Sequence, residues 1–288
     1  MPPLGTLAAY SREDRMDRMR RGFKLAGVSW RVVLAEPAMM LVLLVGVIGT
    51  VALSGGAFAL LFRRLPDAGD FRFPNYLVAL PVLWFGTLVS SYCNVVVAVM
   101  ADRRLRGEDA VVTDGMWVAT SKFDRILSWT VVSIVVGMFL HALAERLKLG
   151  GWLASRLFGL AWGLATTFVV PVLALEDVSV KEAIGRSTSI FRAKWGEAVA
   201  AEGAVGLAVF IVMIPVFVLV GVGFAIAVPL GVLTAVVAFG LLLIVSGALD
   251  TVVNVALYRY AVDGEVLGAF TATDLDASFQ PKNEGFFG

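Results

Sequence analysis

Five stretches of this chain contain no Asp, Glu, Lys or Arg: residues 37–62, 73–101, 126–144, 157–175 and 203–249, with lengths of 26, 29, 19, 19 and 47. A hydrocarbon core about 30 Å thick is crossed by roughly 20 apolar helical residues. Each of the first four runs therefore predicts one membrane span. The fifth would make a helix of about 70 Å at roughly 1.5 Å per residue, more than twice the bilayer. It must fold back, and Gly221, Gly223, Pro229 and Gly231 mark the place, because proline and glycine interrupt helices. The predicted fold is all-α, a polytopic membrane helical bundle with six transmembrane helices. Only 16% of the residues are charged, against roughly 25% in a soluble domain, which excludes a soluble enzyme.

The polar stretches between the runs fix the orientation. The N-terminal segment, 101–125, 176–197 and the C-terminal end hold 18 Lys and Arg, and the loops on the other side hold 6. Cytoplasmic loops carry the excess of cations, so both termini are expected in the cytoplasm and the chain in the cell membrane. Seven cations precede the first apolar run. A cleaved leader has a short charged region followed by about 7–15 apolar residues, so the first span is expected to be retained. Residues 1–270 read as a single transmembrane domain and 271–288 as a flexible cytoplasmic tail. No polar stretch before residue 270 reaches the roughly 40 residues below which chains seldom fold alone, so no soluble catalytic domain is expected.

Three cytoplasmic segments share a pattern. At an offset of 68 residues, Val112, Met116, Ala119 and Phe123 align with Val180, Ile184, Ser187 and Phe191, and Glu108-Asp109 aligns with Glu176-Asp177. At an offset of 93, Met19, Phe23, Ala26, Trp30 and Val33 align with Val112, Met116, Ala119, Phe123 and Ile126. A spacing of 4, 3, 4 and 3 puts these residues on one helix face. The other faces carry Arg20, Arg21, Lys24, Asp124, Arg125, Arg186 and Arg192. Such a helix suits the membrane interface, with its aromatic residue in the headgroup boundary and its cations in water. The expectation is three cytoplasmic interfacial amphipathic helices, each followed by a helical hairpin. The units 16–101, 110–175 and 178–261 would form a three-unit parallel repeat, the alternative being chance likeness among amphipathic linkers.

The segments RRGFKLAGVSWRVVLAEPAMML (20–41), YCNVVVAVMADRRLRGEDAVVTDG (92–115), FVVPVLALEDVSVKEAIGRSTSIFRAKWGE (168–197) and VNVALYRYAVDGEVLGAF (253–270) resemble one group. They are similar to an uncharacterised prokaryotic family of six-helix integral membrane proteins. More distantly they look like the membrane domain attached to some glycerophosphodiester phosphodiesterases. The resemblance spans about residues 16–270 and implies fold and topology. It implies no activity, since the phosphodiesterase chemistry belongs to a soluble domain absent from this sequence.

No catalytic, cofactor or metal residues are expected. The single histidine, His141, is fifteen positions beyond Ile126, toward the outer end of a span, and reads as an interface residue. The single cysteine, Cys93, can form no intrachain disulfide. No phosphate-binding glycine motif is present. Asp250 and Glu202 bound the long apolar run. Intramembrane carboxylates are functional by default, but both sit toward cytoplasmic ends, where structural pairing competes with proton coupling. Asn94 and Asn254 read as packing amides that bond across helices, at about 0.6 kcal/mol, as do Ser90, Ser91, Thr166 and Thr167. Pro81, Pro171 and Pro215 interrupt three spans, and each frees a carbonyl that must find a partner or line a wet cavity.

Three functions follow for comparison. The first is a non-enzymatic structural or scaffolding membrane protein. It would hold anionic lipid headgroups or a membrane-protein partner, and no nucleic acid, through Arg18, Arg20, Arg21, Lys24, Trp30, Phe123, Phe191 and Arg192. Each cation near an anionic leaflet contributes about 1 kcal/mol. The second is a transporter or lipid-handling permease with a cavity among the proline-kinked helices. The third, an intramembrane enzyme, lacks paired acids, metal ligands or an activated nucleophile. The topology is testable by cysteine labelling in intact cells. Asp67→Cys and Lys148→Cys should react with an impermeant maleimide from outside, and Ser121→Cys and Ser189→Cys should not. Labelling of the latter pair would overturn the assignment of both ends to the cytoplasm.

Overall fold

A computed structural model describes residues 27, 29–62, 73–146 and 148–267, and within them the chain is helical with no strand. The elements are α1 (Ser29–Ala35), α2 (Pro37–Phe62), α3 (Phe73–Leu105), α4 (Val112–Ser121), α5 (Phe123–Arg146), α6 (Lys148–Thr166), α7 (Val169–Leu175), α8 (Val180–Ile226) and α9 (Val228–Asp263). The first three charge-free runs each lie in one helix, the fourth is divided between α6 and α7, and the fifth between α8 and α9. Among the described residues four segments are long and apolar enough to cross a membrane: Leu83–Leu105, Phe123–Leu143, Arg156–Leu175 and Val228–Asp263. A fifth is obtained if Ser29–Ala35 and Pro37–Leu53, separated by the break at Glu36, form one span. That break is local chemistry, since a residue before proline avoids the helical region and proline suits the first helical position. Of the expected fifth span, the described side chains include the apolar stretch Val212–Ile226 of α8. The loop 63–72 and the tail 271–288 lie outside the described residues.

The chain divides into two compact units, one of Pro37–Met100 with Ala110–Ser189, the other of Met1–Glu36, Ala101–Asp109 and Ile190–Gly288. The first unit is built from neighbours that fold back on one another. A Cβ on Gly46 would sit 2.7 Å from Cys93 Sγ and one on Gly49 3.8 Å from Val89, so α2 and α3 run antiparallel. Trp129 of α5 stacks on Trp162 of α6 with centroids 6.2 Å apart. Met39, Val95–Met100, Ile126, Phe168, Val169, Val172 and Leu173 are buried in this unit.

In the second unit the long charge-free run turns back at a single extended residue, Ala227. Val228 and Pro229 then start α9. Of the four residues the sequence marks there, Gly223 and Gly231 make the turn tight. A Cβ on Gly223 would collide with Thr234 Oγ1 and lie 3.1 Å from Gly231 Cα, and one on Gly231 would run into the Phe224 ring. Phe217 and Phe239 meet edge to face further along the same hairpin, at 5.4 Å. The large side chains of α9 from Val228 to Leu243 are mostly exposed, whereas all eight residues from Thr251 to Tyr258 are buried.

The glycines provide a controlled comparison. Gly223→Val must move backbone, and overpacking of this kind costs about 1–3 kcal/mol, whereas Gly221 has nothing within 4 Å. Thermal unfolding in detergent should show a marked loss for Gly223→Val and little change for Gly221→Val. Equal losses would mean that the close approach does not exist.

Candidate functional site

Two polar clusters occupy helix ends. In the first unit, Pro171 has no N–H to donate and its ring crowds the carbonyl four residues back. The helix accordingly breaks between Thr166 and Val169. Ser187 fills the break: its Oγ accepts the Phe168 N–H at 3.1 Å and donates to the Ala165 carbonyl at 2.7 Å. At the other end of α7, Lys122 Nζ donates to the carbonyls of Leu173, Ala174 and Glu176 at 3.0, 3.0 and 2.8 Å. A cation there also complements the negative end of the helix dipole. Burial pushes the Lys122 amine below its ordinary value, helped by Arg125 and opposed by Asp177 and Glu176.

The turn after α7 is tied down by charge. Arg125 donates to Asp177, whose carboxyl is held below its ordinary value by that hydrogen bond and charge. Arg186 donates to Glu176 at 3.3 Å. Ser179 and Glu182 form a reciprocal capping box at the start of α8. Glu182 Oε2 accepts the Ser179 N–H at 2.8 Å, and the Glu182 N–H donates to Ser179 Oγ at 3.4 Å. The backbone and side-chain hydrogen bonds from Ser179 hold the Glu182 carboxyl low.

In the second unit an ionic clasp joins α3 to α9. Arg259 grips Asp102 with two hydrogen bonds, Nε to Oδ1 at 2.6 Å and an Nη to Oδ2 at 2.9 Å. Asp102 is only 7% exposed. Arg259 also reaches Asp263 at 2.9 Å. Arg106 lies 3.5 Å from Asp102 and 3.7 Å from Glu265, and Arg104 lies 3.4 Å from Glu36. Buried charges persist where they are paired and hydrogen-bonded, and this pair is both.

The residues singled out from the sequence fall elsewhere. Arg18, Arg20, Arg21 and Lys24 lie outside the described residues, as does the Glu202 side chain. Trp30 and Phe123 are 42% and 44% exposed, Phe191 is half-buried, and Arg192, Asp250 and His141 are exposed. Asn94 donates to Ser90 within its own helix at 3.4 Å. Asn254 is buried, and its Oδ1 finds no partner among the described residues.

The shared face of the short helices is part buried and part exposed. Gly115, Ala119 and Ile126 are buried while Met116 and Phe123 are exposed. On α8, Val180, Ala183, Ser187 and Ile190 are buried, with Ile184 and Phe191 half-buried. Small residues win because the backbones approach closely: a Cβ on Gly115 would lie 2.8 Å from the Val96 carbonyl oxygen. Tyr92 adds a hydrogen bond to Thr120 at 2.9 Å. Lys122, Asp102 and Arg259 were not singled out as a site from the sequence. Asp102 directly follows a charge-free run, which is the one local sign of its position.

Among the described residues no three His, Cys, Asp or Glu converge to hold a metal ion. The model of one family, described as a family of unknown function (DUF6159), matches residues 73–268, about two-thirds of the chain, and the chain belongs to that family. The matched region takes in Asp102, Lys122, Ser187 and Arg259 and leaves out the N-terminal cations. No curated protein and no solved structure matches.

The clasp predicts strong non-additivity. Asp102→Asn or Arg259→Met alone leaves a charge without its partner, at a cost of about 3–5 kcal/mol for a buried pair. The double variant removes both charges and should lose clearly less than the sum. Reversible unfolding in detergent measures the cycle, and additive losses would mean that the two side chains act independently.

Proposed function

We propose that this member of the family is a non-enzymatic, multi-pass scaffold of the cell membrane that holds anionic lipid headgroups or an acidic partner at its cytoplasmic face. The supporting observation is a division of labour among cations. Arg104, Arg106, Lys122, Arg125, Arg186 and Arg259 are engaged by carboxylates or carbonyls of their own chain. Lys181 and Arg192 are exposed, and the N-terminal cluster of Arg18, Arg20, Arg21 and Lys24, outside the described residues, is assigned the attraction of an anionic surface by its charge density in the sequence. Trp30 and Phe123 offer exposed aromatic surface at the ends of apolar helices, where aromatic side chains are enriched at membrane boundaries.

The permease alternative draws on the interrupted α6–α7 span and on the unpartnered Asn254 Oδ1. Against it, Ser187 takes up the Phe168 N–H and the Ala165 carbonyl at the break and Lys122 takes carbonyls at the end of α7, so side chains of the protein serve backbone groups at both places.

Replacing Arg18, Arg20, Arg21 and Lys24 by Gln tests the scaffold. Association of spin-labelled phosphatidylglycerol with the reconstituted protein should fall by more than about tenfold at low salt, given about 1 kcal/mol per cation. The difference should shrink as salt rises and screens the charges. Asp250→Asn should change only stability. A proton or solute flux abolished by Asp250→Asn, with normal lipid association in the Gln variant, would replace the scaffold by the permease.

A further inference from the structure

The exposed side of α4 has a composition unlike a water-facing helix. Thr113, Met116, Trp117, Thr120 and Ser121 are exposed and none is charged. Trp117 is 73% exposed, the highest value among the exposed large apolar side chains, with Met116 and Val111 close to half exposed beside it. Within the helix only Asp114, half-buried in the first turn, is charged; the other charges stand at its ends, Glu108 and Asp109 before it and Lys122, Asp124 and Arg125 after it.

We infer that this face of α4 lies in the headgroup layer of the bilayer, with Trp117 as its anchor. Three observations fix the occupant as lipid. The helix is enclosed between two segments long and apolar enough to cross a membrane: Leu83–Leu105 ends six residues before it and Phe123–Leu143 starts one residue after it. Its opposite face is already used, with Gly115 against Val96 and Ala119 buried, and Thr120 at the edge between the faces is bonded to Tyr92 of α3, so α4 is held beside a spanning helix. The next helix, α5, carries an exposed apolar line of its own, with Phe123 at its start and Val131, Val135 and Phe139 four residues apart on one face. A face adjoining such a stripe, carrying hydroxyls, tryptophan and no cation, has the chemistry of the interface, where an indole buries its ring and keeps its N–H wet.

No cation lies within α4, so this anchoring needs no anionic lipid. It rests on the membrane reading and not on the N-terminal cations, and the two proposals can fail separately.

The test is a bimane label on Trp117→Cys in the full chain, reconstituted in nanodiscs, with Asp109→Cys as the aqueous reference. Thr113→Cys, exposed one turn earlier, is the second site should the tryptophan replacement impair folding. The label on α4 should emit to the blue of the reference. Iodide should quench it at least about threefold less, as expected of a helix face sunk in the interface. Lipids with a nitroxide near the headgroup should quench it more than lipids with a nitroxide at the chain end. These results should be the same in phosphatidylcholine alone and with phosphatidylglycerol added. Iodide quenching equal to that of the reference would put the face in water and overturn the inference. Protection from both quenchers would mean that a second copy or another protein covers α4. Stronger quenching from the chain end would place it in the acyl core, and dependence on phosphatidylglycerol would make the contact electrostatic; each of these also overturns it.

Discussion

Two side chains bracket α7, and the end of the span depends on them. Inside an apolar helix a freed carbonyl or N–H has no water to turn to, so the protein must supply its partner. Pro171 frees backbone groups at one end of α7 and the helix terminus frees carbonyls at the other. Ser187 answers the first with a single hydroxyl that both accepts and donates, and Lys122 answers the second with three donated bonds. Ser187 comes from the start of α8 and Lys122 from the residue between α4 and α5. The same bonds therefore fix how three separate segments meet. Around them Phe168, Val169, Val172, Leu173 and Ala183 close a buried apolar shell.

The cations counted for orientation turn out to have a second use. The positive-inside bias concerns which side a loop occupies and is indifferent to what the side chains touch once there. In the fold, Arg125, Arg186, Arg104, Arg106 and Arg259 each meet a carboxylate. Exposed pairs such as Arg186 with Glu176 contribute little, typically under about 1 kcal/mol. Asp102 with Arg259 is a different case, because neither group is well solvated, and removal of one leaves Asp102 only the longer contact to Arg106 or leaves Arg259 only Asp263.

Much of the helical layout was legible, because charge-free length is a strong signal and the turn at residue 227 follows from glycine and proline chemistry. The short helices were legible as helices, and the 4, 3, 4, 3 pattern picks out large apolar residues for the membrane interface. It says nothing of which residues pack against the protein. Beside a membrane span the closest contact goes to the smallest residues, so Gly115 and Ala119 point inward while Met116 and Trp117 point outward. The same ambiguity hides the two halves of α9, both apolar, one exposed and one buried. Hydropathy is blind to the difference between lipid and protein as surroundings. The ion clasp was illegible for another reason: its members are 157 residues apart, and nothing local connects them.

That separation has a consequence for how the protein is made. Asp102 leaves the ribosome long before Arg259, and at about 5–20 residues per second the interval is on the order of ten to thirty seconds. During that time the carboxylate at the end of α3 stands at the membrane without its final partner. Arg106, one turn away and 3.5 Å from it in the finished fold, is available from the start and can hold the charge meanwhile. The buried stretch Thr251–Tyr258 arrives in the same late segment. The clasp is thus closed by the last helix, and a ribosome that stalls before residue 259 leaves Asp102 without Arg259.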